Sequence, residues 1–205
     1  MKLVELESAV LAHTGEFHCE RIRRPDEKKI VRFRHVVAPP LSGHALPDIG
    51  RLDDFYDTFG SIVFFVDDKS GDAAVHIAAP SAWAALRAGF LDWLDPLDED
   101  ERTEIVPEWV EACVAIGEEP RTGNTLLMPT DGAHAGHVFL FDHDGYEFTH
   151  CADDLVAYVG SLLDPDDRLL LEIATHLRFI EGDPAIQWWI RELRDNRGNV
   201  ARTHV

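Results

Sequence analysis

His134, His137 and His150 lie close together along the chain, Cys151 follows the last of them, and Asp142, His143, Asp144 and Glu147 stand in between. Imidazoles, thiolates and carboxylates are the donors from which zinc and iron centres are built. A metal centre needs its donors to converge, so the fold of this segment decides the question. Val138 to Cys151 reads VFLFDHDGYEFTHC, two β-rich runs joined by Asp-His-Asp-Gly. Asp-Gly supplies the positive φ angles of tight hairpin turns, which predicts a β-hairpin turning at Asp142–Gly145. His137 then sits at the foot of the first strand and His150 returns opposite it, with His134 joining from the loop before. The acids of the turn fall at the other end, about 15 Å away at ~3.3 Å per residue. No HExxH occurs. On this reading the sequence assigns no metal ligand, no catalytic residue and no cofactor. A metal-dependent hydrolase using His134, His137 and His150 stays open as the alternative.

Other chemistry has less to offer. GxSxG, GxGxxG and Walker patterns are absent. Cys19, Cys113 and Cys151 are odd in number, scattered, and without a CxxC pair. They read as free thiols in a reducing cytoplasm, and a reactive thiol needs a more electropositive setting than these apolar segments provide.

The elements that would position such residues read as α+β, a mostly antiparallel sheet with helices packed on it. Residues 3–13 form a short helix with Leu3, Leu6, Val10 and Leu11 inward. CERIRRPDEKKIVRFRHVV reads as a β-ribbon turning at Pro25-Asp26-Glu27, with Ile22, Val31 and Phe33 inward and Arg21, Arg23, Arg32 and Arg34 on the other face. LDDFYDTFG is a short helix ending at Gly60, SIVFFVDD and AAVHIAAP a hairpin, and SAWAALRAGFLDWL a helix capped by Ser81. CVAIGE and GNTLLM are strands, and a helix starts near Asp153 and Asp154. At the C-terminus, Asp164-Pro165 and Asp183-Pro184 each look like a cap followed by proline at the first helical position. They predict helices over 165–181 and 184–197, stopped by Gly182 and Gly198, with Arg191, Arg194 and Arg197 in the last turns and Leu170, Leu177, Trp189 and Leu193 packed inward. This helical hairpin, residues 164–205, is expected to dock on a domain formed by 1–163.

Charge narrows the functions. The 205 residues carry 19 Lys and Arg against 38 Asp and Glu, a formal net charge of −19. Such a surface repels phosphate backbones, excluding broad nucleic-acid binding, and it favours basic partners. No apolar run reaches the ~18–20 residues of a membrane span, and the acid-bearing N-terminal stretch is not a signal peptide. Seven basic residues crowd 21–34, either a ribbon for an anionic ligand or a solvated face paired with acids of the same protein. Seven acids, Asp92, Asp95, Asp98, Glu99, Asp100, Glu101 and Glu104, crowd the opposite extreme, with Arg102 the single base among them. They are the candidate partner-binding residues.

The order of elements from 113 to 163 resembles the SUKH superfamily, which includes the yeast cell-wall-assembly regulator and many bacterial toxin-immunity proteins. The carriers are the Ile-Gly strand before a Gly-Asn turn, the strand ending in Asp-His-Asp-Gly, and the Ala-Asp-Asp-Leu helix start; LPDIGRLDDFYDTFGSIVFF is similar to the family's entry segment. Asn124 stands where the family often has Asp. The likeness does not extend to the ribbon or the C-terminal segment. It implies an α+β fold without catalysis and, for this chain, an immunity protein that binds a cognate toxin domain, often a nuclease or deaminase. A regulatory scaffold stays open beside it.

Overall fold

The computed structural model describes residues 3–40, 43, 45–180 and 183–204. Among these, ten strands make one antiparallel sheet and six α-helices pack on it. The strands are β1 (Gly15–Arg21), β2 (Arg24–Ala38), β3 (Ser61–Asp67), β4 (Val75–Ile77), β5 (Cys113–Glu118), β6 (Thr125–Pro129), β7 (Val138–Asp142), β8 (Glu147–Ala152), β9 (Trp188–Asp195) and β10 (Val200–Arg202). They run β10-β9-β1-β2-β3-β4-β5-β6-β7-β8 across the sheet. From β1 to β8 each strand pairs with its successor, through short turns at several steps and through helix-bearing connections between β2 and β3 and between β4 and β5. The last two strands return to the free edge of β1.

Side-chain alternation builds two cores. On one face Phe17, Phe33, Ile62, Phe64, Leu126 and Leu140 meet Leu6 and Val10 of α1 (Leu3–Ala12), Phe55 of α2 (Leu52–Thr58), Val159 and Leu162 of α5 (Leu155–Leu162), and Leu170 and Ile173 of α6 (Asp167–His176). On the other face, among the described residues, only the β5–β8 half is covered by a second core. There Phe90 and Leu94 of α3 (Trp83–Leu94) pack on Cys113, Ala115, Leu127 and Phe141. The β9-β1-β2 half therefore turns its second face to water. That is why Arg32 and Arg34 alternate outward from buried Val31 and Phe33.

The expected C-terminal helical hairpin is absent. Its first member exists as α6, capped by Asp166 rather than Asp164. The second is β9, which pairs along its length with β1. The reason lies in the register. His18 faces Glu192 and Cys19 faces Ile190, leaving Arg191 as an extra residue in β9. A bulge of this kind turns the strand by one position, so Ile190 and Leu193, three apart, both point into the core. Spacing of three is what a helix shows, and the bulge mimics it. Trp188 is the buried indole, whereas Trp189 is half-buried, its Nε1 donating to Thr203 Oγ1 at 3.2 Å. Asp183 makes a turn instead of a helix cap. Gly182 lies outside the described residues. Arg197 still serves helix ends, though of other helices: it donates to Leu163 O beyond α5 and to Ala9 O of α1.

Smaller corrections have similar local causes. The β1–β2 turn is at Ile22-Arg23, and Pro25-Asp26-Glu27 are looped out of register just after it. Ile22, on the turn, is exposed. Leu11 is exposed at the end of α1. Ser81 caps nothing, because Pro80–Ala82 form a 3-10 turn leading into α3.

One buried polar chain ties the larger core together. In β3, Phe64 and Phe65 face the single residue His35, and Phe65 takes φ 56°. Its N–H donates to His35 Nδ1 at 3.0 Å. His35 Nε2–H then donates to His13 Nδ1 at 2.8 Å, and His13 Nε2–H to Asp195 Oδ2 at 3.1 Å. Every tautomer in this relay is set by its neighbour. Burial holds both imidazoles below their ordinary range, His35 down to about 3.

Candidate docking edge and the histidine cluster beside it

The acidic run occupies the end of α3 and all of α4 (Glu99–Ile105). Asp98 starts α4 with a reciprocal cap: its Oδ1 accepts from Glu101 N at 2.9 Å, and its own N–H donates to Glu101 Oε2 at 3.1 Å. Three acids in the first turn also suit the positive end of the helix dipole. This local chemistry makes a short helix in a segment with little apolar content, and α4 buries none of its residues. Between α3 and the segment after α4 lies a groove of about 420 Å³, lined by Leu91, Leu94, Val106 and Val110, by Glu99, Glu108 and Glu111, and by the bases Arg87 and Arg102.

Asp92, Asp95, Asp98, Glu99, Asp100, Glu101 and Glu104 are all exposed. Among the described residues none of them has an ion-pair partner. The nearby Arg87 does not relieve them, since its guanidinium donates to the backbone carbonyls of Cys113 and Glu111, each at 3.1 Å.

The basic ribbon is treated differently. Arg21 and Arg24 pair with Glu27 at 2.7 and 3.0 Å, Lys28 and Arg191 pair with Glu20, and Arg34 pairs with Asp68. Lys29 lies over the Trp188 ring, 5.5 Å from its centre. A groove of about 480 Å³ on this face is lined by Arg32, Arg34 and Arg194, but equally by Glu16, Asp68 and Asp195.

In the hairpin β7–β8 the histidines and the turn acids separate as the alternation requires. At the turn, His143 packs against Trp93 of α3, ring centres 4.3 Å apart. Gly123, at φ 95°, lets both approach: a Cβ there would stand 3.0 Å from Trp93 and 3.2 Å from His143. Asn124 is buried and serves both sides. Its Oδ1 accepts from His143 N and Nδ1 at 3.2 and 2.9 Å, and its Nδ2 donates to Glu119 Oε2 at 2.7 Å. An aspartate could not donate to Glu119, which accounts for the amide at this position. Burial pushes the Glu119 carboxyl up to about 7, against the lowering effect of the Asn124 hydrogen bond. His176 Nε2 lies 3.7 Å from the same carboxyl.

At the foot of the hairpin the rings of His137 and His150 are 5.2 Å apart, and His134 is 5.6 Å from His137. The donors that converge are His137, His150 and Asp153, with one ligand atom of each within 4.8 Å of the others. His134 stands beside this set. The turn acids Asp142, Asp144 and Glu147 are not part of it.

Sequence reasoning missed Asp153 and Glu119. Strict alternation from His150 selects Ala152, not Asp153. In the structure Val138 faces Ala152 while Phe139 faces His150, so Cys151 is an extra residue and the following chain is re-aimed. Glu119 carries no motif; the only hint is a charged residue directly after an apolar strand. All three cysteines are free, Cys19 and Cys113 buried and Cys151 partly so. Burial raises each thiol, Cys19 and Cys151 to about 12, so none is poised as a nucleophile.

No family model matches the chain, and neither curated proteins nor solved structures give a match. No helix among the described residues is long and apolar enough to cross a membrane.

Proposed function

We propose that the chain is a non-catalytic protein-binding module whose α3–α4 edge receives a basic protein partner. The observation that carries this reading is a helix, α4, that buries nothing and presents carboxylates with no ion-pair partner among the described residues, beside a groove that is apolar in part. An element with no packing role has its chemistry directed at solvent or at a partner, and the field of these acids selects a cationic one. The finer reading is an immunity protein neutralising a toxin domain, a nuclease or deaminase whose own surface must be basic to hold nucleic acid. That part rests on the resemblance of 113–163 to the SUKH superfamily.

The test replaces Asp98, Glu99, Asp100 and Glu101 by Asn, Gln, Asn and Gln, which keeps the capping geometry of α4. A basic partner captured from the native host is then measured for association rate against ionic strength. The variant is expected to associate about ten-fold more slowly at low salt, with a flatter salt dependence. Co-expression of the wild-type chain is expected to protect cells from that partner. Equal rates with equal salt slopes would reduce the edge to a solvated surface.

A further inference from the structure

We propose that His137, His150 and Asp153 form a binding site for a first-row divalent cation, Zn²⁺ in particular. The expectation of no metal rested on the distance between the histidines and the turn acids. The bulge at Cys151 removes that objection by bringing a carboxylate to the other end of the hairpin. Two imidazoles and one carboxylate are a donor set that zinc accepts, with the fourth tetrahedral position left to water.

The geometry is close to what coordination needs. Ligand atoms about 2.0–2.1 Å from a tetrahedral zinc are about 3.3 Å from one another. Here His150 Nε2 and Asp153 Oδ1 are already 3.5 Å apart, and the whole set falls within 4.8 Å. His150 and Asp153 are exposed and His137 is half-buried, so small side-chain rotations close the remaining gap. The imidazoles are also free to coordinate: apart from the His150–Asp153 contact, neither ring has a hydrogen-bond or ion-pair partner among the described residues.

Three anchored backbone positions carry the ligands. The loop before β7 is tied to β6 by Gly136 N–H on Pro129 O at 3.0 Å, and His137 N–H donates to His134 O at 3.0 Å. His150 is paired across the hairpin with Phe139. Asp153 directly precedes Asp154, whose side chain caps α5 through Ala157 N at 2.7 Å. Beneath them lies the buried Phe139 ring, 5.3 Å from that of His150, stacked in turn on Trp109 at 4.5 Å. A rigid apolar floor under three polar donors limits the rearrangement that binding requires.

Titration of the untagged full chain with zinc chloride, read by calorimetry and by thermal melting, tests the site. Wild type is expected to take up one saturable equivalent and to melt at a higher temperature with zinc present. His137→Ala and His150→Ala should each weaken binding by more than the about 10–100-fold typical of losing an outer-shell partner, and should abolish the rise in melting temperature. Asp153→Asn should weaken it less, and His134→Ala should leave it in place. These side chains lie at the surface, so the variants fold. No saturable uptake by wild type, or wild-type affinity in the His137→Ala, His150→Ala double variant, overturns the proposal.

Discussion

Seven basic residues lie within 21–34 and seven acidic ones within 92–104, and the two stretches look like mirror images in the sequence. In the structure they are opposites. The ribbon lies in the sheet, where neighbouring positions bring acids to its bases: Glu20 on β1 reaches Lys28 on β2, Glu27 reaches Arg21 and Arg24, and Asp68 after β3 reaches Arg34. The acidic edge is built on a short local helix, and none of its seven carboxylates has an ion-pair partner among the described residues. Charge density alone therefore does not mark a binding surface. The two stretches differ in how far the fold supplies counter-charges, although Arg23 and Arg32 of the ribbon also have no ion-pair partner among the described residues.

The largest effect expected from probing this contrast is at Trp188, which fastens β9 to the ribbon. Trp188→Ala should cost about 3–5 kcal/mol in urea unfolding, as for other buried aromatic truncations, and should cost clearly more than Trp189→Ala, whose ring is half-exposed. Equal losses would mean that β9 does not hold the ribbon through its buried face.

Next comes Glu119, the carboxyl that the β5–β8 half does bury. Its folded value of about 7 lies above the ordinary glutamate value of 4.5. A raised carboxyl binds its proton more tightly in the folded state, so its stabilisation is full below about pH 4.5 and is lost as pH rises through 7. Glu119→Gln should match wild type at low pH and exceed it by up to about 3 kcal/mol above pH 7. A pH-independent difference would show that Glu119 is not held protonated.

A smaller effect on stability belongs to the ribbon's ion pairs. The Lys28 hydrogen bond, followed by that of Arg191, holds the Glu20 carboxyl below its usual range. Yet Glu20 is partly solvated, and Glu20→Gln should cost no more than about 1 kcal/mol, less in high salt. The fourfold amide substitution at the acidic edge should cost still less while slowing association. A variant set in which the ribbon changed association and the edge changed stability would invert the comparison.

The sequence by itself determined the local parts. Alternation and turn chemistry specify the β7–β8 hairpin, the Asp154-capped α5, the helix α2 and the strands β3 to β6, because each depends on residues a few positions apart. The acidic stretch was visible only as a charge run; the helix α4 was not expected from the sequence, although its Asp98–Glu101 capping box is local. What only the tertiary structure decided are the places where a distant strand sets the register. A bulge at Arg191 puts Ile190 and Leu193 on one face and makes a strand look helical. A bulge at Cys151 brings Asp153 to the histidines. In both, one extra residue converts a period of two into a spacing of three, and that extra residue is defined by the partner strand, which local sequence does not contain.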